Sequence, residues 1–388
     1  MSTYTVRPGD TLGRIAASQL GAAKKWRLLA DFNNLDNPNR LRVGHVLEIP
    51  EPTPVSNVVN VDRQPQAAAR TMDAPTPPLA RVREQPTQTE VRISTRGNTV
   101  FAVDADGEWH RIGTRKNAGL YRIGNQEPER FIADNAAMLS DLNLTRSEIA
   151  VMAATSENEG NFDAVNTWDG HFLSFGIFQW TSGPKDGPGE LPALLQKIKT
   201  SFPDDFQHYW GRYGLDVADV RGTTGWLTLD GRRLSSKAEK QQLRDSRWAY
   251  RFATAGADLE VKAAQITHGV SRIRSFYFSR RDALNRVPLA ELITSEFGVA
   301  LLLDNHVNRP GYVFKCVGEA IIECGMTPAE LVSGDAADER RVVDAYLGIR
   351  ERYGRRPMTD ARHRGEVTRA YLTRGEISDA RGSFQIGH

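Results

Sequence analysis

An α+β fold, mostly helical and split into a small and a large domain, is what the sequence of 388 residues predicts. Three observations carry that prediction. Residues 1–50 read as strand, helix, helix and strand in close succession. A proline-rich stretch then separates them from the rest. Beyond it, apolar residues recur mainly at the three- and four-residue spacing of helices, with Asp-Gly turns between a few short apolar runs.

The small unit opens with an alternating strand containing Tyr4 and Val6, followed by the turn Pro8-Gly9-Asp10. Leu12, Ile15 and Ala16 have helical spacing, and Asp10 or Thr11 caps the first turn. A second helix is expected around Trp26, Leu29, Ala30 and Phe32, broken by Asn33-Asn34 and Asp36-Asn37-Pro38. Val46-Leu47-Glu48-Ile49 is the closing strand. Residues 51–90 carry prolines at 52, 54, 65, 75, 77, 78 and 86 among Gln, Thr, Ala and Arg. Such a composition buries too little apolar surface to offset ordering entropy, so an extended tether is expected.

The order of residues in 1–50 resembles a LysM module along its whole length. The matching residues are Tyr4-Thr5-Val6, Gly9-Asp10-Thr11-Leu12, Ile15-Ala16, Trp26, Leu29-Ala30, Asn33, Asp36-Asn37-Pro38 and Gly44 to Pro50. The resemblance implies recognition of N-acetylglucosamine chains by two loops. One contains Gly9, Asp10, Thr11 and Leu12, the other Asp36, Asn37 and Pro38.

Residues 91–388 form the large domain. Val100-Phe101-Ala102-Val103 and Trp109-His110-Arg111-Ile112 flank Asp104-Ala105-Asp106-Gly107, a hairpin pattern. A second hairpin is expected around Trp226 to Gly231. Helices are expected over 145–158, 190–200, 236–285 with breaks, 288–305, 312–323, 327–331, 336–353 and 359–373.

The formal net charge of +2 is too mild to point to nucleic acid. In the arginine-rich tail, Arg352, Arg355, Arg356, Arg362, Arg364 and Arg369 interleave with Glu351, Asp360 and Glu366, as on a solvated helix face. Cys316 and Cys324 share one apolar run; on a single helix they lie about 12 Å apart. That is beyond the roughly 7 Å a disulfide allows, so both are expected as buried thiols. Met1 to Val6 has neither the basic nor the apolar region of a secretory signal. No apolar run is long enough to span a membrane.

The chemistry concentrates in residues 145–180. Thr145-Arg146-Ser147-Glu148 is a capping box, so a helix starts there. Ile149, Met152, Ala153 and Ser156 form its apolar face, and Gly160 suits its stop. The helix runs into Glu157-Asn158-Glu159, followed by a polar, turn-rich stretch and then Ser174-Phe175-Gly176-Ile177-Phe178-Gln179-Trp180. A carboxyl at the end of an apolar helix is a place where desolvation holds the proton on near neutral pH.

This region resembles the lysozyme superfamily. Glu159-Gly160, Trp168-Asp169-Gly170 and Ser174-Phe175-Gly176-Ile177 follow the order of phage-type lysozymes. Glu159-Gly160-Asn161-Phe162-Asp163 followed by Gly176-Ile177-Phe178-Gln179 is similar to lytic transglycosylases and goose-type lysozymes. The resemblance implies peptidoglycan cleavage by a lysozyme-like domain with Glu159 as general acid, Asp169 as second carboxylate and Ser174 holding a water. Phe178, Gln179 and Trp180 would line the sugar groove. A second register resembles chitosanases, with Glu157 as the acid and Asp186 as its partner. The distance from Glu159 to Gly176 fits the phage-type pattern better, which favours Glu159. Gly160 departs from the serine of the transglycosylases, and Phe178-Gln179 from the Gly-His of the phage enzymes.

The chemistry implied needs no metal or organic cofactor. The expected partner is peptidoglycan or another N-acetylglucosamine polymer, with no role for nucleic acid or membrane. With no signal, the expected route from the cytoplasm to the wall is lysis, particle delivery or non-classical export. A structural, wall-piercing part of a phage tail or contractile injection baseplate is the competing reading. Asp304-Asn305-His306-Val307-Asn308-Arg309-Pro310, a polar string closing a buried helix, reads as capping and groove-wall packing. His268, beside Gln265 on an apolar helix, reads as a hydrogen-bonded core histidine.

Overall fold

A computed structural model of the protein describes residues 2–7, 10, 12–20, 29, 33, 35, 44–49, 91–104, 107–158, 160–354, 358 and 360–387. The chain divides into two units, residues 1–87 and 88–388.

In the first unit, β1 (Ser2–Thr5) pairs antiparallel with β2 (Val46–Ile49), with Ser2 opposite Ile49 and Thr5 opposite Val46. Alternation sends Leu47 and Ile49 inward onto Leu12, Ile15 and Ala16 of α1 (Leu12–Leu20), and Val6 and Leu29 are buried with them. Asn33 acts as a clip. Its Nδ2 donates to Leu29 O and Glu48 O, both at 2.8 Å, while Oδ1 accepts from Glu48 N at 2.6 Å. The side-chain amide thus satisfies the free edge of β2. The expected second helix lies outside the described residues except for Leu29, and so does the expected tether.

The second unit holds a seven-stranded antiparallel meander in chain order. Its strands are β3 (Arg92–Arg96), β4 (Thr99–Val103), β5 (Trp109–Lys116), β6 (Gly119–Arg122), β7 (Val165–Asn166), β8 (Ser174–Phe175) and β9 (Trp180–Thr181). The expected hairpin is present, with Val103 opposite Trp109. Val100, Ala102, Val103 and Ile112 of this hairpin are buried, as is Leu120 of β6. A smaller sheet joins β10 (Leu215–Arg221), β11 (Thr224–Leu229) and β12 (Arg232–Arg233). The turn at Asp230-Gly231, with φ of 50° and 75°, falls where the sequence indicates, and β10 is added beside it.

The helices before the large sheet closes are α2 (Pro128–Asp134), α3 (Ala136–Asp141) and α4 (Arg146–Ser156). Next come α5 (Leu191–Ser201), α6 (Pro203–Tyr209), α7 (Lys237–Lys240), α8 (Ser246–Ala255) and α9 (Leu259–Tyr277). Two of the breaks in the expected 236–285 span fall at Asp245 and Asp258, each of which caps the helix that follows it. The last group is α10 (Leu289–Leu292), α11 (Glu296–Asn308), α12 (Val313–Glu323), α13 (Pro328–Ser333), α14 (Ala336–Arg352) and α15 (Ala361–Thr373). Helix α8 packs on β4 to β7, and α4 is enclosed by α2, α9, α11 and α15. Nine of the eleven residues of α4 are buried, so it is a central helix rather than an amphipathic surface one. Its capping box forms as the sequence predicts, and the box glutamate, Glu148, is also paired with Arg274 at 3.0 Å.

Two expectations need correction. Asp304 is neither a cap nor a groove wall. It is fully buried, with Arg350 Nη1 at 2.9 Å on one oxygen and Arg364 Nε at 2.9 Å on the other. Arg364 therefore leaves the solvated face expected of the tail. Arg352, Arg362 and Arg369 stay on it, paired with Glu323, Glu351 and Asp344. The reason is helical phase: Arg364 lies on the same side of α15 as the buried Ala361, Gly365, Thr368 and Tyr371. Cys316 lies in α12 and Cys324 at its end, both free, and burial pushes the Cys316 thiol up to about 11. No described helix is long and apolar enough to cross a membrane.

Removing one member of a buried pair strands the other charge in the interior. Arg350→Leu should therefore lower unfolding stability by about 3–5 kcal/mol. Arg369→Ala, at an exposed pair, should change it by no more than about 1 kcal/mol. Denaturant midpoints of the two variants provide the check.

Candidate active site

The expected catalytic stretch folds as one local assembly around the end of α4. Glu157 follows the last residue of the helix with helical backbone angles, φ −58° and ψ −26°, and is half-buried. Asn158 accepts at its carbonyl from Arg364 Nη1 (2.8 Å), and its Nδ2 donates to Arg364 O (3.2 Å). A guanidinium at this point meets the unpaired carbonyls and the negative end of the helix dipole. Glu159 lies outside the described residues. At Gly160 an added Cβ would sit 3.5 Å from Gly176 O, so the chain leaving α4 lies directly against the glycine turn.

That turn, Gly176 to Gln179, links β8 to β9, with Gln179 N donating to Gly176 O at 3.0 Å. Gly176 has φ +79°, and a Cβ there would come within 2.2 Å of Gln265 Oε1. Glycine is required for both reasons. Gln265, wholly buried on α9, accepts from Ile177 N (3.1 Å) and donates to Phe162 O (3.0 Å). It ties the segment after α4 to the turn. Asp163 performs a similar task, pairing with Arg122 and accepting from Asn125 N (2.8 Å) and Gln126 N (2.9 Å).

The other expected site residues fall into distinct places. Asp169 is fixed in its own loop: one oxygen accepts from His171 N (2.9 Å) and the other from Asn166 Nδ2 (3.0 Å). Ser174 is buried in β8 opposite Asn166 and Thr181. Phe178 and Trp180, expected along a groove, are core residues at 4% and 1% exposure; their rings pack on one another and Trp180 on His268. The Gln179 side chain folds back onto Gly176 O (3.0 Å), with φ +48° at its own backbone. Asp186 is exposed, 3.5 Å from Lys185, on a loop that follows β9. The buried Lys240 organises that loop, donating to Ser182 O (3.0 Å), Pro184 O (2.6 Å) and Gly187 O (2.6 Å). Burial lowers the Lys240 pKa to about 8.

Sequence reading missed two residues beside Glu157. Tyr371 of α15 is buried, and the carboxylates of Glu157 and of Glu129 in α2 act on its hydroxyl. Burial first, and then the two carboxylates, push its pKa well above the usual phenol value. The signal available was the stripe on α15 that places Arg364 and Tyr371 on one side, two turns apart.

His268 is a core residue as expected. Burial, with Lys197 and Arg272 nearby, lowers its pKa to about 3. His306 is stacked on Phe276 with centroids 4.3 Å apart and accepts at Nδ1 from Arg272 Nε (3.1 Å). Burial and Arg272 lower it also to about 3. For a metal, the described residues offer Asp205, Asp258 and Glu260, one oxygen of each within 4.8 Å of the others. Asp258 already caps α9 and accepts from Tyr209 Oη at 3.0 Å.

In the first unit, Asp10 accepts from Tyr4 Oη (2.9 Å) and Arg7 N (2.7 Å). Leu12 is buried in the core. Gly9, Thr11, Asp36, Asn37 and Pro38 lie outside the described residues.

Residues 4–50 match the LysM domain family. LysM domains bind peptidoglycan or chitin-like N-acetylglucosamine polymers, so this segment supplies a binding module of that kind. Over 49 residues the chain is 39% identical to an uncharacterized protein of Deinococcus radiodurans. That match covers 13% of this chain and 19% of the relative's length. No solved structure matches the chain.

Two measurements follow from this geometry. Gly176→Ala should destabilise the protein by about 1–3 kcal/mol from the backbone conformation alone, and further through the Gln265 contact; thermal melts read the loss. Both histidines have folded-state pKa values below the unfolded one. Their contribution is thus complete above about pH 6.5 and is lost as pH falls towards 3. Unfolding near pH 5 should take up about two more protons than at pH 8. A double His268→Gln, His306→Gln variant should lose that part of the pH slope.

Proposed function

We propose that this protein is a peptidoglycan-cleaving glycosidase, a muramidase or a lytic transglycosylase, whose LysM domain holds the polymer that the second unit cuts. The observation that carries the reading is the end of α4. A buried helix delivers half-buried Glu157 beside the Gly160–Gly176 contact, where the chain leaving the helix packs on the turn between two short strands. A carboxyl in such a setting is partly desolvated and opposed by the helix dipole, and both effects favour the protonated form that general-acid catalysis needs. Glu159 is the acid by the resemblance, and Glu157 is the rival.

Asp169 supports a subsidiary role. Each of its oxygens accepts one hydrogen bond from its own loop, leaving a lone pair on each to orient a water or a sugar hydroxyl. The chitosanase alternative, with Glu157 and Asp186, rests on an Asp186 side chain that is two-thirds exposed. A polymer-binding module on the same chain raises the local concentration of substrate without adding chemistry. Action at the cell wall follows from the substrate.

The test is digestion of purified peptidoglycan with mass spectrometry of the products. Reducing ends identify a hydrolase and anhydro ends a transglycosylase; intact polymer under all conditions rejects the enzymatic reading. Glu159→Gln and Glu157→Gln should be compared at unchanged thermal midpoint. The variant that removes the acid should lower kcat about a hundredfold or more. Deleting residues 1–50 should weaken retention on insoluble wall while leaving turnover of short soluble glycans.

A further inference from the structure

Strands β3 to β7 carry charge of one sign. β3 contributes two Lys or Arg residues, β5 three and β6 one, and no Asp or Glu occurs in any of the five. The whole chain has 50 Lys or Arg against 48 Asp or Glu, so the imbalance is local. One face of these strands is core: α8 packs on it, and Val100, Ala102, Ile112, Leu120 and Val165 are buried there. Alternation sends Arg96, Trp109, Lys116 and Tyr121 to the other face. Val100 stands opposite Gly113 but Phe101 opposite Arg111, so Ile112 is an extra residue in β5. That bulge lets Arg111 and Lys116, five positions apart, share the outer face.

Two cation–ring contacts mark this face. Arg96 lies over the Trp109 ring, 3.9 Å from its centroid, and Phe101 meets Trp109 edge-on. Lys116 lies 4.0 Å from the Trp168 centroid and 5.7 Å from that of Tyr121. Trp109 and Tyr121 are 39% and 37% exposed. Among the described residues, no carboxylate is within ion-pair reach of Arg96 or Lys116, whereas Arg352, Arg362 and Arg369 are each paired on their helices. The rings therefore hold two cations in place with no anion to match them, and part of the ordering cost of binding one is already met. The face also leads to the candidate site. Thr114, Tyr121, Asn166, Ser174 and Thr181 stand directly opposite one another from β5 to β9, and Asn166 donates to Asp169.

Such a surface suits a polymer that offers both apolar ring faces and carboxylates. The C–H faces of sugar rings pack on exposed indole and phenol rings, and carboxylates pair with guanidinium and ammonium groups. Of the polymers that LysM domains bind, the chitin-like ones are neutral, and peptidoglycan carries the carboxylates of its peptides. We propose that the outer face of β3 to β7 is a second polymer-binding surface. Peptidoglycan is held there by Trp109, Tyr121 and Trp168 against its sugars and by Arg96 and Lys116 against its carboxylates, which adds a preference for the acidic polymer over the neutral one. The link to Asp169 rests on the glycosidase reading; the binding itself needs no cleavage.

Calorimetric titration of the full chain tests this with three probes: soluble peptidoglycan strands with intact peptides, the same strands with their carboxylates converted to amides, and chitin oligomers. A double Arg96→Gln, Lys116→Gln variant removes charge and keeps the rings; both side chains are exposed, so the thermal midpoint should hold. The wild type should bind native strands about tenfold or more tighter than amidated ones. The charge variant should lose that difference and keep the wild-type affinity for chitin oligomers. Added salt should erode the preference of the wild type and leave the variant unchanged. A double Trp109→Ala, Tyr121→Ala variant should weaken native and amidated strands by the same factor, and no change would overturn the stacking. Equal affinity of the wild type and the charge variant for native strands would overturn the face and leave the glycosidase reading untouched. A loss that extends equally to chitin oligomers would overturn it as well, because the damage then lies in the LysM domain or the fold. Single-stranded DNA bound as tightly as native strands would overturn the choice of peptidoglycan. Native strands bound at this face but never cleaved would uphold it and overturn the glycosidase reading instead.

Discussion

Asp304 holds two arginines in an apolar interior, and the geometry of the candidate site follows from that contact. Arg350 comes from α14 and Arg364 from α15, while Asp304 belongs to α11, the helix packed along α4. Taking three charged groups out of water costs several kcal/mol per ion, which is recovered only if each is paired and hydrogen-bonded with good geometry. Arg350 meets that condition at its two terminal nitrogens, through Asp304 and the carbonyls of Leu301 (3.4 Å) and Ala361 (3.0 Å), while its buried Nε has no partner. Arg364 meets it through Asp304 and Asn158 O. The second contact carries the constraint from the core to the end of α4. It anchors Asn158 just beyond the end of α4, and the buried Tyr371 follows two turns further along the same side of α15.

The two units use polar side chains for the same purpose at different scales. In the LysM domain, Asn33 serves the edge of a four-residue strand and Asp10 accepts from Tyr4 Oη and Arg7 N, because so small a domain buries too little apolar surface to hold such groups by packing alone. In the second unit, Gln265, Asp163 and Lys240 each gather backbone groups of irregular segments near the candidate site. A buried backbone polar group must find a partner, and a two-residue strand such as β8 offers few. The short strands β7 to β9 are accordingly stabilised by side chains reaching in from α9 and the neighbouring loops.

Much of this was legible in the sequence. The capping box at Thr145 and Glu148, the Asp-Gly turn at 230–231 and nearly every helix after residue 236 are local signals, and local geometry reproduces them, whereas the helix expected to stop at Gly160 already ends at Ser156. Strand β3, Arg92–Arg96, was not legible, because Ile93 is its one large apolar residue and its neighbours are polar. Helix α2 hides behind Pro128 and is only seven residues long. Phe178 and Trp180 illustrate a different failure: their residue type suits a sugar groove and a core equally, and only the fold decides that they point inward. The influence of Glu157 on Tyr371 spans more than two hundred residues, and no periodicity in one segment reports it. Arg364 and Asp304 each look like surface charges until α11, α14 and α15 are brought together.

The central claim is that the end of α4 and the Gly176 turn meet the wall polymer. Hydrogen exchange of the full-length protein, with and without purified glycan strands of peptidoglycan, measures this directly. The account predicts slowed exchange of amides in 157–162 and 174–181 in addition to those of the LysM domain. Protection confined to residues 4–50 would contradict it and leave the second unit without a role at the polymer.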